Sequence, residues 1–419
     1  MKYQKYRLGC VLLFVMLFAI YAGAQTLSLQ QCIELALANN IDLQKSELSL
    51  KQASLSSKQS WSSLYPGVTA SASASNSGPI VSEYEDEWNW SAGLGVSQKI
   101  YSPGLYTNIS LAKANRKTAQ FSNVALQNHI CATVEQLYYQ ILTADTLVSV
   151  YKANIRLSEE QMEKMKRMVD LGTKRESDLL KSQVQKGTFE AQLIQQIENL
   201  SSSKRELNIL MGREPNEPVQ IVAIPVDQMD VPSYEESYAL MLDTNPSLKQ
   251  YEKQIDIEGL SLRIAKEAYL PSASASYSYS QSNSAYDGSV VDNDQISLRL
   301  SMDLFDGFSK CQTVQKAKVG VDNAKLDYEA ELRDLTQSLL NKYNSLNTQN
   351  QLLKIHQTNL TSASKDLEVV SKQYASGLAS ILDLMDAQVS VLESQINLLS
   401  DLYERKSIES EIFRLIGSR

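Results

Sequence analysis

The chain has 419 residues with 48 acidic and 40 basic side chains, which gives a formal net charge of −8. This excess of acids argues against a nucleic-acid partner and favours an acidic or cation-tolerant surface. The sequence contains only two histidines, both in helical patterns. Because no nucleophile elbow, glycine-rich phosphate loop or metal-ligand cluster is found, we expect no catalysis, no cofactor and no metal site.

Residues 1–24 have the pattern of a secretory signal peptide. Three cations precede the apolar run "LGCVLLFVMLFAIYAGA", whose small residues at its end favour cleavage before Gln25. An apolar run of this length would also suit an uncleaved membrane anchor. Removing Lys2, Lys5 and Arg7 changes the formal charge from −8 to −11. No later segment reaches the roughly 20 apolar residues of a membrane-spanning helix. We therefore predict an exported protein that crosses a membrane, if at all, with strands.

Three cysteines lie beyond this segment, and they are Cys32, Cys131 and Cys311. Their odd number and the lack of a CxxC spacing indicate neither a disulfide framework nor a zinc site. We expect all three to be small, buried apolar residues.

The mature chain consists of two copies of one sequence unit, with an offset of 205 residues between them. The stretch that begins "CIELALANN" aligns without a gap with the stretch that begins "SYALMLDTN", and "LNILMG" aligns with "IFRLIG". The repeats span residues 25–212 and 233–419, and a proline-rich connecting, equatorial segment at 213–232 joins them.

Short helices open each repeat, and a period-two pattern follows a proline. From Trp88 onward apolar residues alternate with Asn, Ser, Gly and Lys, and the same alternation places Ile296, Leu298, Leu300, Met302 and Leu304 on one face. We predict strand pairs at about 66–101 and 271–305, with about 10 residues per strand, the length that crosses a tilted bilayer. Aromatic residues near the strand ends suit a membrane girdle or, equally, aromatic pairs in a soluble sheet: Tyr84, Trp88, Trp90, Tyr101, Tyr277, Tyr279, Tyr286 and Phe305.

Long helical hairpins complete each repeat, at about 105–212 and 308–417. Apolar residues recur at intervals of seven, from Val134 to Val169 and from Leu332 to Tyr374. About 65 residues without proline predict a helix near 100 Å long. Gly172 and Gly377 then end the pattern and mark the hairpin tips. Capping boxes, Thr173 with Glu176 and Ser380 with Asp383, are expected to start the return helices.

Four strands cannot close into a stable barrel, and lipid does not tolerate an open sheet edge. A membrane location therefore requires several copies of the chain, each supplying part of one barrel.

The doubled unit, the Asn-Asn and Asn-Pro steps, "LFDG" at Leu304 to Gly307 and the repeated tip motif resemble TolC-like outer-membrane efflux proteins, or outer membrane factors. The resemblance covers essentially the whole mature chain. It implies an α+β membrane protein, a homotrimer whose 12-stranded β-barrel, four strands per chain, continues as a long periplasmic α-helical barrel. It also implies a passive, gated exit duct of a tripartite efflux or type I secretion system. Such a duct lies in outer-membrane lipid, extends into the periplasm, and works with a periplasmic adaptor and an inner-membrane transporter of RND or ABC type.

The same resemblance assigns a periplasmic gate to Asp178, Tyr374, Asp383 and Asp386. Around a narrow axis, copies of the two acids on the return helix would favour cations. Asp383 is equally well explained as a helix cap, and Asp386 as part of a solvated helix face. The family's second-tip arginine, which pairs with the first-tip acid, is Ala379 here. Either the closed state is then held more weakly, or another cation takes the role of this arginine: Arg167, Lys174 or Arg175.

Two other classes of function compete with the duct. Paired carboxylates could serve acid–base catalysis, but the chain lacks the remaining parts of an active site. A soluble periplasmic coiled-coil scaffold or adaptor would explain the hairpins and the charge, but it would need no alternating strand pairs.

Overall fold

The computed structural model describes residues 26–76, 88–223, 230–283 and 289–417. The predicted signal peptide, Tyr84, Tyr286 and part of the connecting segment lie outside these residues. The chain forms two compact units, and each unit draws on both sequence repeats. Unit 1 comprises residues 1–45, 125–245 and 334–419, and unit 2 comprises residues 46–124 and 246–333.

Each repeat follows the same order of elements: two short helices, two strands and two long helices. The helices are α1 Leu29–Asn39, α2 Ile41–Gln59, α3 Leu105–Asp170, α4 Glu176–Leu210, α5 Tyr234–Thr244, α6 Pro246–Glu267, α7 Ser309–Ala375 and α8 Ile381–Ile416. The strands are β1 Thr26–Leu27, β2 Gly67–Asn76, β3 Trp88–Tyr101, β4 Gln220–Ile221, β5 Ser272–Asn283 and β6 Val290–Ser301. Strands β1 and β4 form a small parallel pair in unit 1.

Unit 2 contains a four-stranded antiparallel sheet in the order β2-β3-β5-β6. The β2–β3 and β5–β6 pairs are the two predicted strand pairs, and pairing of β3 with β5 joins them. The sheet therefore combines strands from both repeats. Because alternate side chains point to opposite faces, the register gives one mainly apolar face and one face of small polar residues.

Strand β6 ends earlier than the sequence pattern predicts. Its last residue is Ser301, so Met302 and Leu304 follow the strand and do not belong to its apolar face. The chain turns there through Gly307 and Phe308, which both have positive φ. The Asp306 carboxylate accepts a hydrogen bond from the Lys310 amide (2.7 Å) and so caps the start of α7.

The matching helix start in the first repeat is capped from the second repeat. The Glu267 carboxylate at the end of α6 accepts hydrogen bonds from the Gly104 amide (3.1 Å) and the Thr107 hydroxyl (2.9 Å), and it pairs with Arg263 (2.8 Å). Burial raises the pKa of Glu267, but these hydrogen bonds outweigh that effect and lower it overall.

Two asparagines at equivalent positions tie the hairpin ends to the short helices in unit 1. The Asn40 side-chain amide donates to the Leu210 carbonyl (3.1 Å), and that of Asn245 donates to the Leu415 carbonyl (2.8 Å). The Asn40 side-chain oxygen also accepts from the Leu43 amide (3.1 Å) at the start of α2. These bonds give a physical reason for the repeated asparagine steps in the sequence.

Polar contacts that the sequence did not predict lie on the last two long helices of unit 1. Asp401 on α8 contacts the ring nitrogen of His356 on α7 and accepts from Gln349 (2.8 Å). Further along α8, the buried Glu409 pairs with Lys406 (3.1 Å). His356 is therefore part of a polar network that joins α7 to α8.

The cysteine prediction holds for two residues and is wrong for the third. Cys32 and Cys131 are buried, whereas Cys311 is exposed near the start of α7. Burial raises the pKa of the Cys32 thiol to about 11, which keeps it protonated and unreactive.

Candidate functional site: the hairpin tips and the sheet faces

The two hairpin tips share one turn geometry. Gly172 and Gly377 have φ values of +72° and +77°, a left-handed conformation that glycine adopts without steric cost. At the first tip the Thr173 amide donates to the Met168 carbonyl (2.9 Å), and at the second the Leu378 amide donates to the Gln373 carbonyl (2.8 Å). This bond five residues back, together with the positive φ, defines a Schellman motif at each helix end.

The return helix of the second tip starts with a capping box. The Ser380 hydroxyl accepts from the Asp383 amide (3.3 Å), and the Asp383 carboxylate accepts from the Ser380 amide (2.8 Å) and hydroxyl (2.7 Å). These bonds, led by the one from the hydroxyl, lower the pKa of Asp383. Asp383 is therefore a helix cap in this structure.

The first tip differs at this point, and its predicted capping box is wrong. Helix α4 begins at Glu176 with Arg175 as its N-cap and no capping side chain. The Thr173 hydroxyl instead donates back to the Met168 carbonyl (2.9 Å), as part of the preceding turn. Asp178 holds the position equivalent to Asp383, but it has no hydroxyl in place of Ser380 to bind.

Tyr374 lies in a small hydrophobic core between the two tips. It is buried with Met165, Ile381 and Leu384, and its hydroxyl donates to the Met165 sulfur (3.2 Å). Burial raises the pKa of its phenol, and the Asp178 carboxylate adds to this effect. Tyr374 and Asp178, from different repeats, are thus brought together.

Lys174 of the first tip makes a cation–π contact with Tyr374 beside the second tip. Its ammonium group lies 4.0 Å from the Tyr374 ring centroid and donates to the Tyr374 carbonyl (3.4 Å). With the offset of 205 residues, Lys174 is the repeat equivalent of Ala379. Of the three cations considered from the sequence, Lys174 is the one whose side chain contacts a predicted gate residue within the described chain.

The acids on α8 point away from this core. Asp383 and Asp386 are both exposed, whereas Ile381, Leu384 and Ala387 of the same helix are buried. Three residues are nearly one helical turn, so the two carboxylates share the solvent face of α8. The Asp386 side chain is therefore open to any surface or solute that meets this face.

The apolar face of the sheet in unit 2 is exposed. On the edge strand β6, Ile296, Leu298 and Leu300 are 84%, 76% and 72% exposed. The opposite face carries hydroxyls that pair across strands, with Ser73 and Ser91 2.9 Å apart and Ser276 and Ser297 2.8 Å apart. In water an apolar face this exposed needs a cover.

Within the described residues, no group of three or more His, Cys, Asp or Glu side chains could hold a metal ion. The described helices also include none that is long and apolar enough to span a membrane.

Comparison with known proteins identifies a family for almost the whole described chain. The family model for outer membrane efflux proteins matches residues 32–213 and again residues 238–418, so each sequence repeat matches the same family. Outer membrane protein TolC of Vibrio cholerae is 21% identical over 324 residues, which are 75% of this chain and 73% of TolC.

Solved structures share the fold. The CmeC outer membrane channel of Campylobacter jejuni superposes with a TM-score of 0.82 at 19% identity, over 93% of this chain and 85% of CmeC. The outer membrane protein VceC of Vibrio cholerae gives a TM-score of 0.81 at 17% identity, over 93% of this chain and 96% of VceC. At such low sequence identities, the structural likeness shows a shared fold and does not by itself show a shared function.

Proposed function

Because this chain belongs to the outer membrane efflux protein family, we propose that it is the exit duct of a tripartite efflux or type I secretion system. Three copies would contribute their four strands to one 12-stranded barrel in the outer membrane, and their long helices would continue it as a periplasmic tube. The duct performs no chemistry of its own.

One observation carries this proposal: the sheet has an exposed apolar face and two unpaired edges. In the order β2-β3-β5-β6, strands β2 and β6 each pair on one side only within the described chain. An apolar face suits lipid, and lipid requires that both edges be paired. Edge pairing between identical copies meets both requirements, because β6 of one copy can join β2 of the next.

The alternative, a soluble periplasmic scaffold, would leave this apolar face in water. The exposed leucines and isoleucine of β6 form a contiguous stripe rather than scattered single residues. The matches of the family model to both repeats also support the duct over the scaffold.

Two neighbouring substitutions on β6 test which face meets lipid. We expect Leu298→Arg to reduce recovery in the outer membrane, because a cation on the lipid face of a barrel costs about 2–4 kcal/mol at mid-depth. Ser297→Arg places the same side chain on the polar face and should leave recovery unchanged. Cell fractionation measures both. Recovery of the unmodified protein in the soluble periplasm would reject the duct.

Imaging of detergent-extracted particles tests the number of copies. We expect hollow particles with threefold symmetry. Folded single chains without a central channel would contradict the proposal.

The proposed partners are a periplasmic adaptor and an inner-membrane transporter of RND or ABC type. The duct is passive, so direction and energy must come from that transporter. This assignment is supported by the family to which the chain belongs.

We further propose that the hairpin tips gate the periplasmic end. Tyr374, held by Met165 and Lys174, would keep the two hairpins together, and Gly172 and Gly377 would form the turns. The carboxylate of Asp178 would act electrostatically on the Tyr374 phenol. Copies of Asp383 and Asp386 around the axis would add negative charge to the aperture.

Asp386 gives the cleaner test of the acidic ring, because Asp383 is also a helix cap. We expect Asp386→Asn to lower the preference for cations in planar bilayers, and Asp386→Glu to preserve it. Equal selectivity in all three proteins would remove Asp386 from the aperture.

A further inference from the structure

Two cations occupy one row on the polar face of the sheet. Lys99 on β3 pairs with Ser274 on β5, and Ser274 pairs with Arg299 on β6. The row therefore runs Lys99, Ser274, Arg299 across three adjacent strands. With strands about 4.8 Å apart, the two charged residues are about 10 Å from each other along the row.

No acid offsets these cations on the polar face of the described strands. Asp292 and Asp294 of β6 alternate in step with Ile296 and Leu298, so they belong to the apolar face. Asp303 follows the end of β6 and pairs with Lys310 (3.5 Å). Neither Lys99 nor Arg299 makes an ion pair within the described chain, and both are exposed.

The row also lies at a defined place in the sheet. The register between β3 and β5 shifts directly after Lys99, between Lys99 and Tyr101, and such bulges re-aim side chains at barrel rims. Arg299 lies near the end of β6 and Lys99 near the end of β3, the ends from which the chain enters its long helices. All other polar-face side chains nearby are small, as in the next row, which contains Gly67, Ser97, Ser276 and Ser297.

We propose that Lys99 and Arg299 form a cationic girdle inside the barrel, which attracts anionic groups of the cargo at the end next to the helices. This inference rests on the proposed duct, in which the polar face lines the lumen. Three copies would place six cations at one level of a wall made of hydroxyls and glycines. The small neighbours keep the lumen wide, so the charges act on a passing solute without blocking it. At this level of the lumen, carboxylates, phosphates and sulfonates would be favoured over cations of the same size, whereas the proposed acidic aperture at the hairpin tips favours cations.

A reporter cysteine beside the row tests both the face and the charge. Ser276→Cys, in a Cys311→Ser background, lies two residues from Ser274 on the same face. In detergent-extracted assembled particles, the modification rates of an anionic sulfonate and a cationic trimethylammonium methanethiosulfonate reagent are compared. We expect the anionic-to-cationic rate ratio to fall about threefold when Lys99→Gln and Arg299→Gln are added, because screened charges about 10 Å away act oppositely on the two reagents.

Three controls make the outcomes separable. The charge-keeping pair Lys99→Arg and Arg299→Lys should preserve the ratio, and high salt should remove the difference. Ala275→Cys places the reporter on the apolar face, where detergent should protect it. If Ser276→Cys is labelled but its anionic-to-cationic rate ratio is the same with and without the glutamine substitutions, the proposed girdle is wrong, while the proposed duct is not contradicted. If Ala275→Cys is labelled and Ser276→Cys is protected, the faces are reversed, and the duct and the girdle both fail.

Discussion

Neutralising Lys174 tests the contact on which the proposed gate depends. Its ammonium group lies 4.0 Å from the Tyr374 ring centroid and 3.4 Å from the Tyr374 carbonyl oxygen. A cation–π contact at a partly exposed site contributes about 0.5–1 kcal/mol, and a long hydrogen bond from a charged donor about as much again. Losing both should cost the joined tips about 1–2 kcal/mol, or about 5- to 30-fold in the closed-to-open ratio.

Single-channel recording in planar bilayers measures this ratio directly. We expect Lys174→Gln to raise the open probability by that factor, and Lys174→Arg to leave it near the original value, because arginine retains the charge and can stack on the ring. The matched control is Arg175→Gln. Arg175 is the next residue, is exposed, and makes no hydrogen bond or ring contact with Tyr374 within the described chain.

Two results would refute the reasoning. If Lys174→Gln opens no more often than the original protein, the contact does not hold the tips together. If Arg175→Gln has the same effect as Lys174→Gln, the tips respond to total charge rather than to the Tyr374 contact.

Three further predictions concern stability. Gly212→Ala should lower the thermal midpoint in detergent more than Gly172→Ala, with an extra destabilisation of about 1–3 kcal/mol. Both glycines have positive φ, but an added Cβ at Gly212 would lie 2.6 Å from the Asn39 carbonyl oxygen, whereas an added Cβ at Gly172 would have no neighbouring atom within 4 Å. Equal losses of stability in the two variants would contradict this. Glu267→Gln should weaken the start of the first long helix, seen as faster amide exchange at residues 104–108, and unchanged exchange would count against the cap. The pKa of Asp383 in the folded protein is depressed below the ordinary 3.8, so its carboxylate should stabilise the second tip above that value and lose this contribution as pH falls through the lower folded pKa. The protection of the amides at residues 381–384, measured against their intrinsic exchange rates at each pH, should therefore fall on acidification in the original protein but not in Asp383→Asn.

The regular elements were predictable because their signals are local and repeated. Heptad spacing over many turns fixes a long helix, and period-two alternation fixes a strand and its two faces. The tip turns carry a glycine that ends a periodic run, a signal that is equally local. The strand end at Ser301 was missed because the apolar alternation continues into Met302 and Leu304, where the backbone already turns.

Long-range contacts were beyond the sequence for a physical reason. The pairing of β3 with β5 joins residues from 172 (Tyr101 and Ala273) to 191 (Ser91 and Ser282) positions apart. A shift of one residue would place Lys99 on the other face. Similarly, the sequence could not decide which of three cations near the tips takes the place of the missing arginine. Side-chain packing in the structure brings Lys174 onto Tyr374. The Thr173 capping box was wrong because the return helix begins at Glu176 with Arg175 as its N-cap, so Thr173 and Glu176 do not hold the N-cap and N3 positions.

Comparison of the two tips shows how a duplicated unit can acquire a contact between its copies. Both tips keep the same turn, but the second satisfies its own helix start through Ser380 and Asp383. At the first tip Arg175 replaces the capping serine, which leaves the equivalent Asp178 without that hydroxyl, next to Tyr374 of the other repeat. Lys174 replaces the small Ala379 and reaches the same tyrosine. The charged groups of the first tip therefore act on Tyr374 of the second repeat, whereas the second tip satisfies its helix start with its own side chains.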